Sequence, residues 1–252
     1  MSPIGTPDFG ANPATNPTAP SFDTGEDTTR LLMGGGSQAR SGRWLFATGF
    51  EEGSTPYIVK SASGTGGKTE LTAVSTFQGA AAYSLVAGNA VNNFAYIRKT
   101  FMYPSSSYGL EIMFARPYAL TSDFEISIGG GGKGVNKDKY RIGKIVFVVD
   151  TGAATVKMYH DVNGSRTLLL DVTNYLTPSA DFWHYFKMVF NFDTNKITLI
   201  KFDDVIMQTD LTGYEYSASF PNVQAEVYLK NKFAGVNPNY YIDNLIITAD
   251  EP

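Results

Sequence analysis

The sequence predicts an all-β protein, an antiparallel β-sandwich or jelly roll preceded by an extended N-terminal arm. Aromatic residues make up 13% of the 252 residues, and aromatic side chains are enriched in strands. Short apolar runs follow one another at close spacing, without a long stretch of helical period. Residues 1–42 contain five of the twelve prolines and few large apolar residues, so they cannot fold alone. We therefore expect an arm at 1–42 and one sandwich domain at 43–252.

One part of the arm has a helical pattern. Thr24 and Asp27 resemble a capping box, and Leu31, Leu32 and Met33 follow shortly before three glycines. This pattern predicts one or two helical turns whose apolar residues need a surface to cover them. The segment is either a flexible leader or an arm that lies on a neighbouring subunit, and in the second case these three apolar residues form the interface.

Apolar and aromatic runs bounded by turn residues predict the strands of the domain. We expect strands at 44–50, 94–101, 110–115, 124–128, 141–149, 155–160, 167–170, 185–192, 197–202, 223–229 and 240–248. The run 185–192 alternates most clearly, because Phe186 and Phe190 share one face with the other apolar residues at even positions. Asn163-Gly164 predicts a two-residue hairpin between two neighbouring runs. Asp193-Thr194-Asn195 predicts the turn between the runs 185–192 and 197–202.

Few residue types suited to catalysis are present. The sequence has no Cys and two His, which excludes thiolate chemistry and leaves little for a histidine-rich metal site. Glycoside hydrolysis needs two carboxylates at a fixed separation. Asp123 and Glu125 are the nearest pair, but no third acid follows on their face. We interpret this pair, like Asp203-Asp204, as solvated turn acids, and we predict that the protein is not an enzyme.

A glycine-rich stretch at 62–69 resembles a phosphate-binding loop. Such a loop must lie between a parallel strand and a helix. Residues 70–77 instead alternate like a strand. We therefore interpret the stretch as a connection between strands.

Two acidic positions suggest a structural calcium ion, the one cofactor that the residues point to. Glu51 ends the first strand, and Asp243 lies inside the last apolar strand. The first and last strands of a sandwich are often neighbours, and Ca²⁺ prefers carboxylate and carbonyl oxygens. The alternative is that Asp243 accepts hydrogen bonds from backbone groups or Tyr hydroxyls.

Three tyrosines are candidate contacts to sugars, because a pyranose has an apolar face and a polar rim. Tyr214, Tyr216 and Tyr240 stand in polar surroundings that resemble surface loops. Most of the other aromatic residues are expected in the core.

Charge and hydropathy limit the partners. The net charge of −4 gives no reason to expect nucleic acid, and no stretch reaches the length of a membrane helix. The N-terminus lacks the basic and apolar regions of a secretory signal. Charged residues make up 17%, below the usual share of about 25%, which suits extensive subunit contacts and self-association as a homo-oligomer.

Three segments carry a resemblance to a known family. Residues 46–53, 182–193 and 241–247 resemble the opening strand, the central W-H-x-x-K strand and the closing I-D-N strand of concanavalin A-like (laminin G-like) jelly rolls. The likeness covers about residues 43–250. The galactose-binding-like jelly roll shares the opening and the acidic closing strand and remains an alternative fold.

This resemblance implies a function without catalysis. Such modules occur as accessory proteins of bacteriophage particles and as lectins. We therefore expect a virion structural protein, assembled in the host cytoplasm, that decorates or cements a capsid or tail through its arm. Its partners would be the major capsid or tail protein and cell-surface glycans. The alternatives are a soluble carbohydrate-binding module or lectin, and a glycan hydrolase or lyase. The paired-acid strand of glucanases and the Asp/Asn metal cluster of legume lectins are both missing.

Overall fold

The computed structural model of the protein describes residues 43–50, 58–77, 80–101, 105–117, 122–131, 139–150, 155–176, 178–179, 181–217 and 222–251. The predicted arm and its predicted short helix lie outside the described residues, as do Leu31, Leu32, Met33 and Glu51. No helix within these ranges is long and apolar enough to span a membrane.

The described chain is built from strands. They are β1 Arg43–Thr48, β2 Ile58–Ala62, β3 Lys68–Thr72, β4 Ala82–Val86, β5 Phe94–Phe101, β6 Ser107–Ala115, β7 Ser122–Gly131, β8 Lys139–Asp150, β9 Thr155–Val162, β10 Ser165–Asp171, β11 Trp183–Asn191, β12 Lys196–Phe202, β13 Val205–Thr212, β14 Tyr214–Ser217, β15 Val223–Asn231 and β16 Asn239–Ala249.

The strands form two antiparallel sheets that pack face to face. The first sheet has the order β13-β12-β11-β6-β16-β4-β3, and the second has the order β10-β9-β8-β7-β15-β5-β2. Two long strands each pair with two successive strands along one of their edges. β16 pairs with β4 and then with β1, and β8 pairs with β14 and then with β9. The predicted all-β sandwich is confirmed.

The core lies between the sheets because alternate residues of each strand point inward. In β15, Val223, Ala225, Val227 and Leu229 are buried, and the residues between them face outward. Rings from both sheets meet in the middle of the core, and they are Phe114, Phe124, Phe147, Phe186, Phe202 and Tyr240. Burying a Phe side chain stabilises the fold by roughly 1.5–3 kcal/mol.

Two predicted turns are confirmed by backbone geometry. Asn163 and Gly164 have φ angles of 51° and 88°, as a two-residue hairpin turn of the primed type requires. The hairpin joins β9 to β10 with Ser165 opposite Val162. Asn195, with φ of 57°, closes the predicted turn between β11 and β12.

The outer face of the first sheet contains a buried charged group, here called the Lys187 cluster: Lys187, Glu111, Glu251 and Tyr185. The Lys187 ammonium lies 3.2 Å from Glu111 Oε1 and 3.0 Å from Glu251 Oε1. The Tyr185 hydroxyl donates to Glu111 Oε2 at 2.9 Å. Lys187 and both acids are almost completely buried, so one ammonium balances two carboxylates away from water.

Candidate functional site

The outer face of the second sheet brings polar and aromatic side chains together across several strands. On β5, β15, β7 and β8, the residues that alternate with core residues point away from the first sheet. Their side chains come from positions far apart in the sequence, and antiparallel pairing sets them side by side. We call this surface the outer face.

Three stacked rings, here called the aromatic cluster, lie on β5 and β15: Phe94, Tyr96 and Tyr228. Tyr96 and Tyr228 are direct cross-strand partners with ring centroids 6.2 Å apart and planes 16° apart. Phe94 stacks on both, at 5.9 Å from Tyr96 and 5.5 Å from Tyr228. All three side chains remain partly exposed. These three residues were not among the predicted sugar contacts. Aromatic residues at the outward positions of alternating strands could have indicated them.

Charged groups flank the aromatic cluster on the next outward row. The Arg98 guanidinium lies over the Tyr96 ring at 4.9 Å, and its Nε donates to Glu226 Oε2 at 2.6 Å. Tyr140 of β8 reaches toward this pair across Gly129. A Cβ at Gly129 would come within 2.9 Å of the Tyr140 hydroxyl, so only glycine leaves room for the ring here. Burial raises the pKa of Tyr140 to about 12, so its hydroxyl remains a donor at neutral pH.

Two carboxylates lie next to the aromatic cluster on β7. Asp123 is opposite Lys230 and Glu125 is opposite Tyr228, and both point to the outer face. The expectation that Asp123 and Glu125 are turn acids is wrong. Both lie inside a central strand, where alternation puts residues two apart on one face. Asp203 and Asp204 do form the turn between β12 and β13.

Basic side chains hold these acids in an ionic network. The Arg166 guanidinium bridges Asp123 at 2.7 Å and Asp161 at 3.2 Å. Lys144 lies 2.9 Å from Asp161 and 3.6 Å from Glu125. Lys232, from the loop after β15, lies 3.2 Å from Asp123. Asp123 and Asp161 are buried, so their partners are needed to compensate for lost hydration.

The pKa values of two acids in the network, Glu125 and Asp161, are shifted in opposite directions. Burial raises the pKa of Glu125, and the nearby Lys144 ammonium only partly offsets this effect. Burial alone would also raise the pKa of Asp161. Hydrogen bonds from Lys144, the Gly164 N–H and Arg166 lower that pKa below its ordinary value instead.

The opposite shifts predict opposite pH dependences of stability for two conservative variants. Because the folded state binds the Glu125 proton more tightly than the unfolded chain, the contribution of this carboxyl to stability falls as pH rises above about 4.5. Glu125→Gln should therefore gain stability relative to the original protein between pH 4 and pH 7. The ionised Asp161 stabilises the folded state at pH values above the ordinary pKa of Asp. Asp161→Asn should therefore lose more stability at pH 7 than at pH 3. Thermal unfolding at each pH measures both, and parallel curves for the two variants would contradict the assignment.

The three tyrosines predicted as sugar contacts lie in different parts of the structure. Tyr214 and Tyr216 belong to β14, beside β8 on the outer face, with Tyr216 41% exposed and 5.2 Å from the Tyr140 ring. Both remain candidate contacts. The prediction for Tyr240 is wrong, because it is 1% exposed and stacks on Phe124 at 4.4 Å. Its position inside β16 points the ring into the core.

Asp243 lies in an irregular part of β16, where the register with β6 shifts and Asn244 has a φ of 49°. One carboxylate oxygen of Asp243 accepts from the Phe77 N–H at 3.0 Å, and the other accepts from the Asn244 N–H at 2.7 Å. Within the described ranges, no three acidic or His side chains converge to hold a metal ion. Calcium binding by Asp243 with Glu51 remains a prediction, since Glu51 is outside those ranges.

Asp243→Ala should destabilise the protein by about 2 kcal/mol, because one buried and one partly buried N–H group lose their acceptor. The measurement is thermal unfolding with Ca²⁺ and with EDTA. A bound calcium ion would raise the melting temperature of the original protein and not that of the variant. An equal calcium response in both proteins would remove the calcium prediction, and unchanged stability would contradict the hydrogen-bonding role.

Comparison of the sequence with protein-family models and with curated protein sequences finds no match. Solved structures are similar in fold. The cellulose-induced protein Cip1 has 13% identity and a TM-score of 0.54, covering 81% of this chain and 96% of that chain. An endo-β-1,4-glucuronan lyase from the fungus Trichoderma reesei has 14% identity and a TM-score of 0.52, covering 82% and 95%. A carbohydrate esterase from the Shiga toxin-encoding bacteriophage phi24B has 12% identity and a TM-score of 0.50, covering 76% and 90%.

Identities this low establish the fold alone. The order of the strands, the two antiparallel sheets and these structural neighbours agree with the resemblance seen in the sequence. The domain therefore has a jelly-roll fold, as the resemblance to concanavalin A-like domains implied.

Proposed function

We propose that the protein is a non-catalytic carbohydrate-binding jelly roll that binds an oligosaccharide across the outer face. The aromatic cluster is the observation on which this proposal rests. Three partly exposed, nearly parallel rings offer apolar area next to charged and hydroxyl groups. A sugar ring combines an apolar face with a polar rim, and such a surface matches both parts.

The arrangement of the outer face suits an extended ligand. The aromatic cluster on β5 and β15 lies at one side, and Tyr140, Tyr214 and Tyr216 lie at the other. Four strand spacings separate β5 from β14, a distance of about 19 Å. A ligand of several sugars would contact both aromatic groups, with the polar residues of β7 and β8 between them.

Two observations support binding without hydrolysis. Asp123 is held by Arg166 and Lys232, and Lys144 lies close to Glu125. A carboxylate engaged in this way is a poor nucleophile or base. The next outward position of β7 is Ser127, which cannot replace an acid.

Glycan hydrolysis is the second candidate, and the raised pKa of Glu125 beside Asp123 favours it. Incubation with a panel of neutral and acidic polysaccharides, followed by measurement of released reducing ends, tests it. We expect no release. Cleavage that disappears in both Asp123→Asn and Glu125→Gln would overturn the non-catalytic proposal. Unsaturated ends in place of reducing ends would indicate a lyase.

A glycan array tests binding directly, with a second pass after addition of Ca²⁺. We expect hits among oligosaccharides and no hits for their single sugars at the same concentration. An array without hits in both passes would contradict carbohydrate binding.

We also propose that the domain is displayed on a bacteriophage particle through residues 1–42. The proline-rich composition of that segment and the low charge of the chain support this setting. One protein of similar fold is a bacteriophage carbohydrate esterase. Deleting residues 1–40 should abolish incorporation into particles or self-association and leave the fold intact. Retained assembly after the deletion would contradict the role of the arm.

A further inference from the structure

A buried arginine lies between the sheets at the end of β6. Arg116 follows the core residue Phe114 by two positions and is 3% exposed. Its Nη2 donates to the Leu176 carbonyl at 2.7 Å, and its own carbonyl accepts from the Ser179 N–H. Its Nε is fully buried and has no acceptor among the described residues. The guanidinium is thus enclosed with one donor group unused.

The positive charge of Arg116 also lacks a partner. No carboxylate forms an ion pair with it in the described part of the chain, whereas the other deeply buried cations have acidic partners. Lys187 contacts Glu111 and Glu251, and Arg141 contacts Glu215. Burying a guanidinium without a counter-charge is unfavourable. The surroundings of Arg116 therefore favour a negative charge that the described side chains do not supply.

Two hydroxyl groups complete the site. The pairing of Tyr241 with Ala115 puts Tyr240 of the first sheet beside Arg116. The Tyr240 ring stacks on Phe124 at 4.4 Å, and Ser122 is two residues before Phe124 on the inward face of β7. Both residues are buried, and neither hydroxyl makes a regular hydrogen bond within the described residues. Burial raises the pKa of Tyr240 to about 12. The Arg116 charge and the Ser122 hydroxyl lower this pKa and so act against the effect of burial.

We propose that Arg116, Tyr240 and Ser122 bind a small inorganic anion of the size and charge of chloride. The Nε–H and the two hydroxyls supply three donors, and the guanidinium supplies the compensating charge. A water molecule would satisfy hydrogen bonds and leave the charge unbalanced.

The nearest acidic residue does not fill this role. Asp123 contributes to the electrostatic surroundings of Tyr240. Its side chain points to the outer face, however, and is paired with Arg166 and Lys232. The anion would connect Arg116 and Tyr240 of the first sheet to Ser122 of the second, and so hold the two sheets together at this end. It lies on the inner side of β7 and is independent of carbohydrate binding.

Crystals of the full chain grown or soaked in sodium bromide test the site directly, because bromide scatters anomalously and replaces chloride. We expect an anomalous peak within hydrogen-bonding distance of Arg116 Nε and the Tyr240 hydroxyl. A site that contains an ordered water molecule, or no density, without an anomalous peak would overturn the proposal. This measurement requires no variant and does not depend on how well a substitution folds.

The second test is thermal unfolding, measured in sodium chloride and in sodium gluconate solutions of equal ionic strength. Chloride at ten times its dissociation constant should raise the melting temperature by about 4 °C relative to gluconate. Tyr240→Phe and Arg116→Gln should lose this difference. Tyr83→Phe, which changes another buried tyrosine, should keep it. An equal chloride response in Tyr240→Phe and Tyr83→Phe would contradict the site.

Discussion

Replacing Tyr228 by alanine is expected to weaken oligosaccharide binding by about 30-fold, the effect of losing about 2 kcal/mol at a central aromatic contact. Tyr228 stacks on both other members of the aromatic cluster, so its loss removes apolar area and one of the two ring contacts of Phe94 and of Tyr96. It also faces Glu125 across the strand pair. Isothermal titration with the strongest ligand from the glycan array measures the change.

Tyr175→Ala is the matched control for this experiment. Tyr175 is a tyrosine with 52% exposure, and it lies in the turn after β10 rather than on the outer face. Its removal should leave affinity unchanged. If Tyr228→Ala and Tyr175→Ala bind alike, and both retain the affinity of the original protein, the ligand does not use the aromatic cluster. Tyr216→Ala then shows whether the β14 side of the face is used instead.

Replacing Lys187 by methionine is expected to destabilise the protein by about 3–5 kcal/mol, because two buried carboxylates lose their only close ammonium among the described residues. For a chain of this size the melting temperature should fall by about 10 °C. Methionine keeps most of the side-chain volume, so the change reports mainly on charge. Differential scanning calorimetry measures it.

Lys68→Met is the matched control for Lys187→Met. Lys68 pairs with Glu70 at the surface, where both side chains are about half exposed, and an exposed pair contributes little. The double variant Glu111→Leu with Lys187→Met should recover part of the lost stability, because one of the unpaired carboxylates is gone. If Lys187→Met lowers the free energy of unfolding no more than Lys68→Met does, the Lys187 ammonium is not needed to compensate the two buried carboxylates.

The alternation of inward-facing apolar residues and outward-facing residues along a single strand could be predicted from the sequence, because it depends only on neighbouring positions. The strands near 185–192 and 223–229 and the Asn163-Gly164 hairpin are examples that the structure confirms. β2, β4, β13 and β14 were not predicted. β2, β4 and β14 are short, and β13 is an edge strand in which half-buried and exposed residues alternate and none is fully buried.

The outer face could not be predicted in the same way, because its contacts depend on which strands lie side by side. Arg98 and Glu226 are 128 positions apart and are joined by a hydrogen bond only because β5 pairs with β15. Asp123 and Glu125 were visible as a pair, but the cationic partners come from other elements: Arg166 and Lys232 for Asp123, and Lys144 for Glu125.

The prediction that Tyr240 is a surface residue was wrong for a different reason. Its neighbours Pro238 and Asn239 suggested a polar loop, yet β16 begins at Asn239 and Tyr240 shares the inward face with Ile242. The irregularity at Asp243 and Asn244 then shifts the alternation, so that Leu245 and Ile247 point inward. A strand with such a shift has no single period, and counting along it places residues on the wrong face.

The pairing of β1 with β16 determines how the domain responds to tension on its ends. The two strands are antiparallel, and Arg43 lies opposite Ala249, so the beginning of β1 and the end of β16 are at the same edge of the sheet. A force that pulls these two points apart breaks the hydrogen bonds between β1 and β16 one residue pair at a time. It does not load all pairs at once in shear. β1 would therefore detach under low load, while the inter-sheet core that β2 to β15 help to build stays folded.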